Sequence, residues 1–237
     1  MPTGFDVWAS QFDGWRGPPR AEEIDAILDF LEGRTKVLDV GGGTGRYALP
    51  LVQRGHQLTL LDRSGGMLRE AAKKGLGRVV KGDASRLPFS DVSFEAVLFV
   101  EMLHLVRDWV GAVREMGRVT SGPAVAVIRE REPDHRRIMI ETRAEMLGPL
   151  GLLDEGVRAL CRMLPPGSIR TVWSTEKRVD LVEPMRAQEM SAVRLGEPQH
   201  PEVVEAALAK VVKAYGSTEV LQVETVRVAK WEAGAFR

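Results

Sequence analysis

Short apolar runs alternate with stretches of helical periodicity between residues 36 and 129, and this alternation constrains the fold more than any other feature. Helical spacing of apolar residues is found at Ala21–Leu31, Tyr47–Arg54, Met67–Lys74 and Trp109–Val119. The apolar runs predict strands at Lys36–Val40, Gln57–Leu61, Arg78–Lys81, Ala96–Val100 and Ala124–Arg129. Near-continuous apolar strands between helices are typical of a parallel sheet that is covered on both faces. The pattern therefore predicts an α/β fold with a doubly wound, mostly parallel sheet.

The rhythm changes after about residue 130. Thr218–Trp231 alternates apolar and polar residues with a period of two, which favours an antiparallel strand with one wetter face. Ser168–Leu181 is also predicted to be extended. Helices are predicted at Pro133–Gly148, Asp154–Leu164, Pro184–Leu195 and Pro201–Tyr215. Ordinary packing explains each large apolar residue of this half singly, although together they can line an adaptable pocket: Met139, Met146, Met163, Trp173, Met185 and Met190.

The composition excludes several classes of protein. The 237-residue chain has 33 Lys plus Arg and 33 Asp plus Glu, so its charge gives nucleic acid or an anionic membrane no bulk attraction. A single cysteine, Cys161, excludes an internal disulfide and a cysteine-based zinc cluster. The first residues lack the pattern of a signal peptide, and the apolar runs are far shorter than the roughly 20 residues that span a bilayer. We therefore expect a cytoplasmic protein without nucleic-acid or membrane partners, and its oligomeric state stays open.

A glycine loop follows the first predicted strand. Gly41, Gly42, Gly43 and Gly45 come directly after Asp39-Val40 and open the next predicted helix. Glycines permit positive φ and a close approach of the backbone to a ligand, and the helix that follows offers unpaired N–H groups to a carboxylate or phosphate. Asp39 can hold an ammonium group of the same ligand. A tight turn that binds nothing is the alternative interpretation.

Acidic residues also follow the second and third predicted strands. Asp62 lies where doubly wound sheets place an acid that binds both ribose hydroxyls, although an acid there can also cap a helix. Asp83 can accept a hydrogen bond from an exocyclic amine while the Ala84 N–H donates to a ring nitrogen, which would recognise adenine. A lone loop aspartate is more often a turn residue. Asp39, Asp62 and Asp83 at the same edge of one sheet are harder to explain as turns.

These segments resemble class I S-adenosylmethionine-dependent methyltransferases of the small-molecule type, over about residues 36–130. Asp39–Gly45 fits the acid-x-Gly-x-Gly-x-Gly signature. Leu61–Leu68 resembles the family's second-strand motif and Gly82–Phe89 its third-strand motif. Phe94–Val97 and Leu103–Val106 resemble the fourth strand and the helix after it, and Phe5–Trp8 resembles, more weakly, an amino-terminal aromatic-Asp-x-Trp element.

The resemblance implies a single methyltransferase-like domain over residues 1–237 with a seven-stranded, Rossmann-like sheet. Its parts are an N-terminal helical arm at 1–35, a cofactor-binding core at 36–130, and cap helices with closing antiparallel strands at 131–237. The implied cofactor is S-adenosylmethionine, with S-adenosylhomocysteine as product. Its glycine loop would face the methionine moiety, Met67 the adenine, and Phe5 and Trp8 would cover the cofactor. The full implied set is Phe5, Trp8, Asp39, Gly41, Gly42, Gly43, Gly45, Asp62, Arg63, Met67, Asp83, Ala84, Val100 and Glu101.

Methyl transfer from a sulfonium needs mainly alignment and a dry site, and a base is required only when the acceptor must lose a proton. Glu101 and His104, after the fourth strand, are weak candidates for that base. A cofactor contact explains Glu101 equally well, and packing on the sheet edge explains His104 better. The four histidines have no paired spacing, so no metal site is predicted. The expected acceptor is a small apolar or aromatic molecule.

Two alternatives stay open at this point. Gly43–Ala48 also fits the G-x-G-x-x-A fingerprint of a nicotinamide-dependent oxidoreductase. That interpretation leaves Asp39 and Asp83 without a role, and no hydride-transfer constellation is evident. The other alternative is a methyltransferase-like protein that binds the cofactor without turnover.

Overall fold

The structure is a computed structural model that describes residues 4–147, 156–187 and 200–236. Helices lie at α1 Gly4–Arg16, α2 Ala21–Leu31, α3 Ala48–Gln53, α4 Gly65–Lys73, α5 Trp109–Val119, α6 His135–Leu147, α7 Gly156–Met163 and α8 Pro201–Tyr215. Strands lie at β1 Lys36–Val40, β2 Gln57–Asp62, β3 Val79–Lys81, β4 Ala96–Val100, β5 Ala124–Glu132, β6 Ser168–Asp180 and β7 Glu219–Trp231. A short 3-10 helix, Leu103–Leu105, follows β4, and residues 182–187 are helical.

The strands form one seven-stranded sheet in the order β3-β2-β1-β4-β5-β7-β6. From β3 to β5 neighbouring strands are parallel, with Val37 of β1 opposite both Leu58 of β2 and Ala96 of β4. The strand order reverses between β1 and β4. In open sheets of this kind ligands bind outside the carboxyl ends of the strands at such a reversal, which is called the switch point.

The last strands pair in the opposite sense. Arg131 contacts Glu224, and two residues later the Pro133 carbonyl oxygen accepts a hydrogen bond from Gln222. Strands β5 and β7 are therefore antiparallel. The predicted doubly wound sheet with closing antiparallel strands is therefore the observed architecture.

Burial of the apolar runs explains the central strands. The side chains of Val37, Leu38 and Val40 are fully buried, and so are those of Val97 and Leu98 in β4. Each such side chain contributes roughly 1.5–3 kcal/mol when it leaves water. Because both faces of these strands are covered, the sheet edge with the loops after β1, β2 and β4 is held in a fixed place.

The chain forms two compact units. The first contains residues 1–128, 155–172 and 227–237, and the second contains 129–154 and 173–226. In the second unit α6 and α8 pack together around a core of their own that includes Met139, Met185 and Val203. The predicted single domain with its internal boundaries stays a prediction.

Most predicted elements have the expected bounds. The strands at 36–40 and 96–100 and the helices at 21–31, 109–119 and 201–215 agree to the residue. One difference is β5, which continues to Glu132 instead of ending at Arg129. The last residues of β5 are polar, so a pattern of apolar residues did not predict them as part of the strand. In the structure Arg131 pairs with Glu224 on β7 at 2.8 Å. Residues 188–195 of the predicted helix Pro184–Leu195, Met190 among them, lie outside the described residues.

In the described parts of the chain we find no helix that is long and apolar enough to cross a membrane.

Candidate cofactor site

The loop after β1 requires glycine for two different reasons. Gly41 and Gly42 donate their N–H groups to the carbonyl oxygen of Leu61, at 2.7 and 3.2 Å, which presses the loop onto β2. A Cβ on Gly42 would lie 2.5 Å from Asp39 Oδ2 and 2.7 Å from Leu60 Cγ, so the protein interior excludes a side chain there. Gly43 has φ +58°, and a Cβ on it would meet nothing within 4 Å. Gly43 therefore faces open space, where a ligand can approach the backbone.

Asp39 lies beneath this loop as a buried carboxyl group with 2% of its surface exposed. Burial, and secondarily the charge of Asp62, raise the pKa of Asp39 to about 7. A cation close to such a carboxyl group stabilises its ionised form and lowers its pKa again, so the two groups attract each other. An ammonium group on a ligand lying along the loop would supply that charge.

Asp62 ties the loops after β1 and β2 together. Its Oδ2 accepts from the Gly43 N–H at 2.9 Å and its Oδ1 accepts from the Ser64 N–H at 2.8 Å. Burial raises the pKa of Asp62, and these backbone bonds together with the charge of Arg63 oppose that rise. Each carboxylate oxygen can accept more than one hydrogen bond, so capacity for ligand hydroxyls is left.

Asp83 has a different environment. It is exposed, and its Oδ1 accepts from the Ser85 N–H at 2.9 Å and the Ser85 hydroxyl at 2.8 Å. These bonds lower the pKa of Asp83, so it stays ionised near neutral pH. Ala84 beside it is buried. The loop is joined to β2 because the Gly82 N–H donates to the Asp62 carbonyl oxygen at 3.1 Å.

Helix α4 begins at the same edge, with Met67 almost fully buried in its first turn. The Ser64 hydroxyl caps the helix by accepting from the Met67 N–H at 3.2 Å. Ser64 and not Asp62 therefore caps this helix, which leaves Asp62 for other contacts.

An unexpected partner completes this helix start. Asp6 of α1 accepts from the Ser64 hydroxyl at 2.8 Å and from the Gly66 N–H at 2.6 Å. A Cβ on Gly66 would lie 2.8 Å from Asp6 Cα, so the two helices touch closely there. Asp6 lies in the predicted element Phe5–Trp8, but no contact was predicted for its side chain. Its partners lie about 60 residues away in the chain.

Two further α1 residues reach the site and were not predicted. Asp13 accepts from the Thr44 hydroxyl in the glycine loop at 2.5 Å and forms an ion pair with Lys74. Arg16 Nη1 lies 3.1 Å from Glu101 Oε2. Helix α1 is therefore fastened to the loops after β1, β2 and β4.

The predicted aromatic residues of this helix form ring pairs along it. Phe5 meets Phe12 edge-on with 6.5 Å between ring centroids, and Trp8 lies 5.4 Å from Trp15. Both predicted residues, Phe5 and Trp8, are half-buried.

The candidate bases lie in different settings. Glu101 follows half-buried Val100 at the end of β4, has φ +49°, and pairs with Arg16. The neighbouring Met102 packs on the glycine loop, since a Cβ on Gly41 would lie 2.7 Å from Met102 Cβ. His104 lies in the 3-10 helix after β4, where a Cβ on Gly156 would lie 2.7 Å from its backbone nitrogen. Glu101 is thus next to the glycine loop, and His104 packs against the start of α7.

The methionines of the second half do not share one environment. Met139 and Met185 are buried in the core of the second unit, while Met146 and Met163 are exposed. In the described part of the chain no group of three or more His, Cys, Asp or Glu side chains could hold a metal ion.

Comparison with known proteins agrees with this geometry. Residues 38–128 match the family described as a methyltransferase domain. They contain the glycine loop, all three aspartates and β4. These residues are a methyltransferase domain. The rest of the site, on α1, lies outside the matched segment.

Relatives with established names are similar to a larger part of the chain. A demethylmenaquinone methyltransferase from Corynebacterium glutamicum is 29% identical over 160 residues, which cover 68% of this chain and 63% of the relative. One from Mycobacterium sp. (strain JLS) is 38% identical over 102 residues, 43% of this chain and 44% of the relative. The chain thus spans less than two thirds of the length of these relatives.

Solved structures share the fold of this chain. The YcgJ protein from Bacillus subtilis has a TM-score of 0.59 and 18% identity, over 90% of this chain and 100% of that one. An S-adenosylmethionine-dependent methyltransferase from Thermotoga maritima has a TM-score of 0.52 and 19% identity, over 95% and 98% of the two chains.

Proposed function

We propose that this chain transfers a methyl group from S-adenosylmethionine to a small-molecule acceptor and releases S-adenosylhomocysteine. The observation that carries the proposal is the open face at Gly43 between buried Asp39 and the loop-tying Asp62. A buried carboxyl whose pKa is raised suits the ammonium of the methionine moiety. Asp62 suits the ribose hydroxyls, and Asp83 with the Ala84 N–H suits the adenine edge.

The remaining predicted contacts complete this proposal. Arg63 adds positive charge near both Asp62 and Asp83. Met67 would contact the adenine, Phe5 and Trp8 would cover the nucleoside, and the backbone at Val100 and Glu101 would border the methionine moiety.

The bound cofactor supplies an activated methyl on a positively charged sulfur. In the transfer an electron pair of the acceptor would form the new bond to the methyl carbon while the carbon–sulfur bond would break, and a carbon or hydroxyl acceptor would also release a proton. The residues of this chain hold the two partners in line and keep water out, which lowers the entropic part of the barrier. Glu101 and His104 are the proposed bases for an acceptor that must lose a proton.

The proposed acceptor is apolar or aromatic, and the proposed location is the cytoplasm. The names of the relatives support the acceptor class, because demethylmenaquinone is what they methylate. The match to a methyltransferase domain favours this function over a nicotinamide-dependent oxidoreductase.

Isothermal titration calorimetry with S-adenosylmethionine, S-adenosylhomocysteine, NAD and NADP tests the cofactor. We expect binding of the two sulfur compounds and none of the nicotinamides. Incubation with S-adenosylmethionine and demethylmenaquinone, reduced with dithionite to its electron-rich quinol, then tests transfer, with S-adenosylhomocysteine release and a methylated product as the positive result. Binding without release, across demethylmenaquinone and simple phenols, would point to a protein that binds the cofactor without turnover.

A further inference from the structure

We infer that Phe12 and Trp15, at the carboxyl end of α1, form the wall against which a planar aromatic acceptor stacks. The inference rests on the proposed function and deepens it, since it names the acceptor class and the residues that select it. Neither residue belongs to the predicted cofactor-binding set.

The polar contacts of α1 fix which way the helix faces. Asp6 and Asp13 point toward α4 and the glycine loop, and Ala9 between them is buried. Val7 lies on the outer side, with 68% of its surface exposed. Successive residues turn by about 100° around a helix, so residues three and four apart share a side.

The aromatic residues follow that spacing and form one stripe along α1: Phe5, Trp8, Phe12 and Trp15. We call these four residues the aromatic stripe. On the helix the stripe lies between the inward side of Asp6 and Asp13 and the outer side of Val7. Arg16 falls at the boundary between the inward side and the stripe.

Arg16 shows what the carboxyl end of the stripe is close to. Its guanidinium carbon lies 5.8 Å from the centroid of the Phe12 ring, and its Nη1 pairs with Glu101 at 3.1 Å. Glu101 directly follows β4, at the switch point between β1 and β4. Phe12 is thus connected through Arg16 to the loop after β4, which packs on the glycine loop through Met102.

The two ends of the stripe therefore have different neighbours. Phe5 is adjacent to Asp6, whose carboxylate binds the loop after β2, where a nucleoside would lie. Phe12 is connected through Arg16 to Glu101, where the reacting end of the cofactor would lie, and Trp15 follows three residues later on the same stripe.

The exposure of these rings suits a planar guest. Trp15 has 51% of its surface exposed and Phe12 is half-buried, so both present ring surface at this end of the helix. Trp15 is tilted against Trp8 with 5.4 Å between centroids, which stiffens its position. Aromatic rings stack offset or edge-to-face with other rings, with an energy beyond that of the buried area. A flat, unsaturated acceptor gains this energy, and a saturated one of the same size does not.

The test uses naphthol as the flat probe and decahydronaphthol as its saturated counterpart. Binding of each to the full chain is measured by ligand-observed NMR, with and without S-adenosylhomocysteine. We expect naphthol to bind about tenfold more tightly than decahydronaphthol. The variants Phe12→Leu and Trp15→Leu keep an apolar side chain but remove the ring, and each should lose most of that preference. Their affinity for S-adenosylhomocysteine should fall much less, since they pack on Phe5 and Trp8 without touching the cofactor in this proposal.

Val7→Ala is the matched control, because it removes apolar surface from the outer side of the same helix and should leave the naphthol preference intact. Equal binding of the two probes by the unmodified chain, or an undiminished preference in both leucine variants, would overturn the inference. So would loss of binding to phosphatidylcholine–phosphatidylglycerol vesicles in those variants with naphthol binding unchanged, since α1 would then face a lipid surface. Failure to bind S-adenosylhomocysteine would instead refute the proposed function. The naphthol measurements made without S-adenosylhomocysteine would still test the aromatic stripe.

Discussion

Two aspartates lie at the same edge of the sheet, Asp39 in β1 beneath the glycine loop and Asp83 in the loop at 82–87 after β3. Asp39 belongs to the interior, with its pKa raised to about 7 by burial, and a glycine is required against it. Asp83 is exposed, its pKa is lowered by two bonds from Ser85, and it stays ionised. One carboxyl group is thus part of the packing, and the other is presented to solvent.

The difference teaches how binding and folding are coupled at one site. A change near Asp39 alters the packing of β1 on β2 as well as the ligand, so both stability and affinity should move. A change at Asp83 alters a surface group, so affinity should move with only a small change in stability. The following predictions test this contrast.

The largest effect is expected from Gly42→Ala. The new Cβ would overlap Asp39 Oδ2 and Leu60 Cγ, so we expect the free energy of unfolding to fall by about 2–3 kcal/mol, as overpacked sites do. Gly43→Ala should cost only about 1 kcal/mol, for its positive φ, while it abolishes S-adenosylhomocysteine binding because the methyl group enters the open face. Urea denaturation and calorimetry measure the two quantities. Equal stability of the two variants would show that the two glycines do not have separate roles.

A pH series should separate the two aspartates next. Because the pKa of Asp39 is raised from an unfolded value of about 3.9 to about 7, the folded chain binds its proton more tightly. The stability from Asp39 is therefore complete below about pH 4 and is lost as the pH rises to about 7. Asp83 has the opposite sign, since its lowered pKa gives stability that is lost as the pH falls.

Denaturation of the unmodified chain and of Asp39→Asn at several pH values between about 4 and 8 measures this contribution. The difference between the two should slope downward with pH. A parallel pair of curves would mean that Asp39 does not titrate in this range.

Paired amide substitutions should give effects of unequal size, with the smaller one at Asp83. Asp62→Asn should weaken S-adenosylhomocysteine binding by about 1.5–3 kcal/mol, because an amide has only one oxygen for the two backbone N–H donors and lacks charge. Asp83→Asn should weaken it by about 1 kcal/mol and lower the thermal unfolding temperature only slightly, because the Asp83 carboxylate is exposed. A larger loss of affinity at Asp83 than at Asp62 would contradict the proposed contact of Asp62 with the ribose hydroxyls.

Much of the fold and part of the candidate site could be predicted from the sequence. The strands at 36–40 and 96–100 were predictable because strands covered on both faces are mostly apolar. The position of the three aspartates at one edge was predictable because the carboxyl ends of parallel strands meet there. The roles of the site residues stay predictions. Asp13 and Arg16 could not be predicted, because their partners Thr44 and Glu101 are distant in the chain and a single sequence gives no signal for such pairs. The end of β5 was missed because pairing with β7, not apolarity, extends it.

The attachment of α1 also sets an order of events during synthesis. The helix leaves the ribosome before the residues that it binds. Ser64 and Gly66, which bind Asp6, and Glu101, which binds Arg16, are synthesised later. A helix of 13 residues is marginally stable alone in water. The aromatic residues of α1 are therefore exposed to solvent in the nascent chain until these partners, the last of them after β4, have been synthesised. The speed of translation across residues 17–101 then sets how long chaperones can bind them.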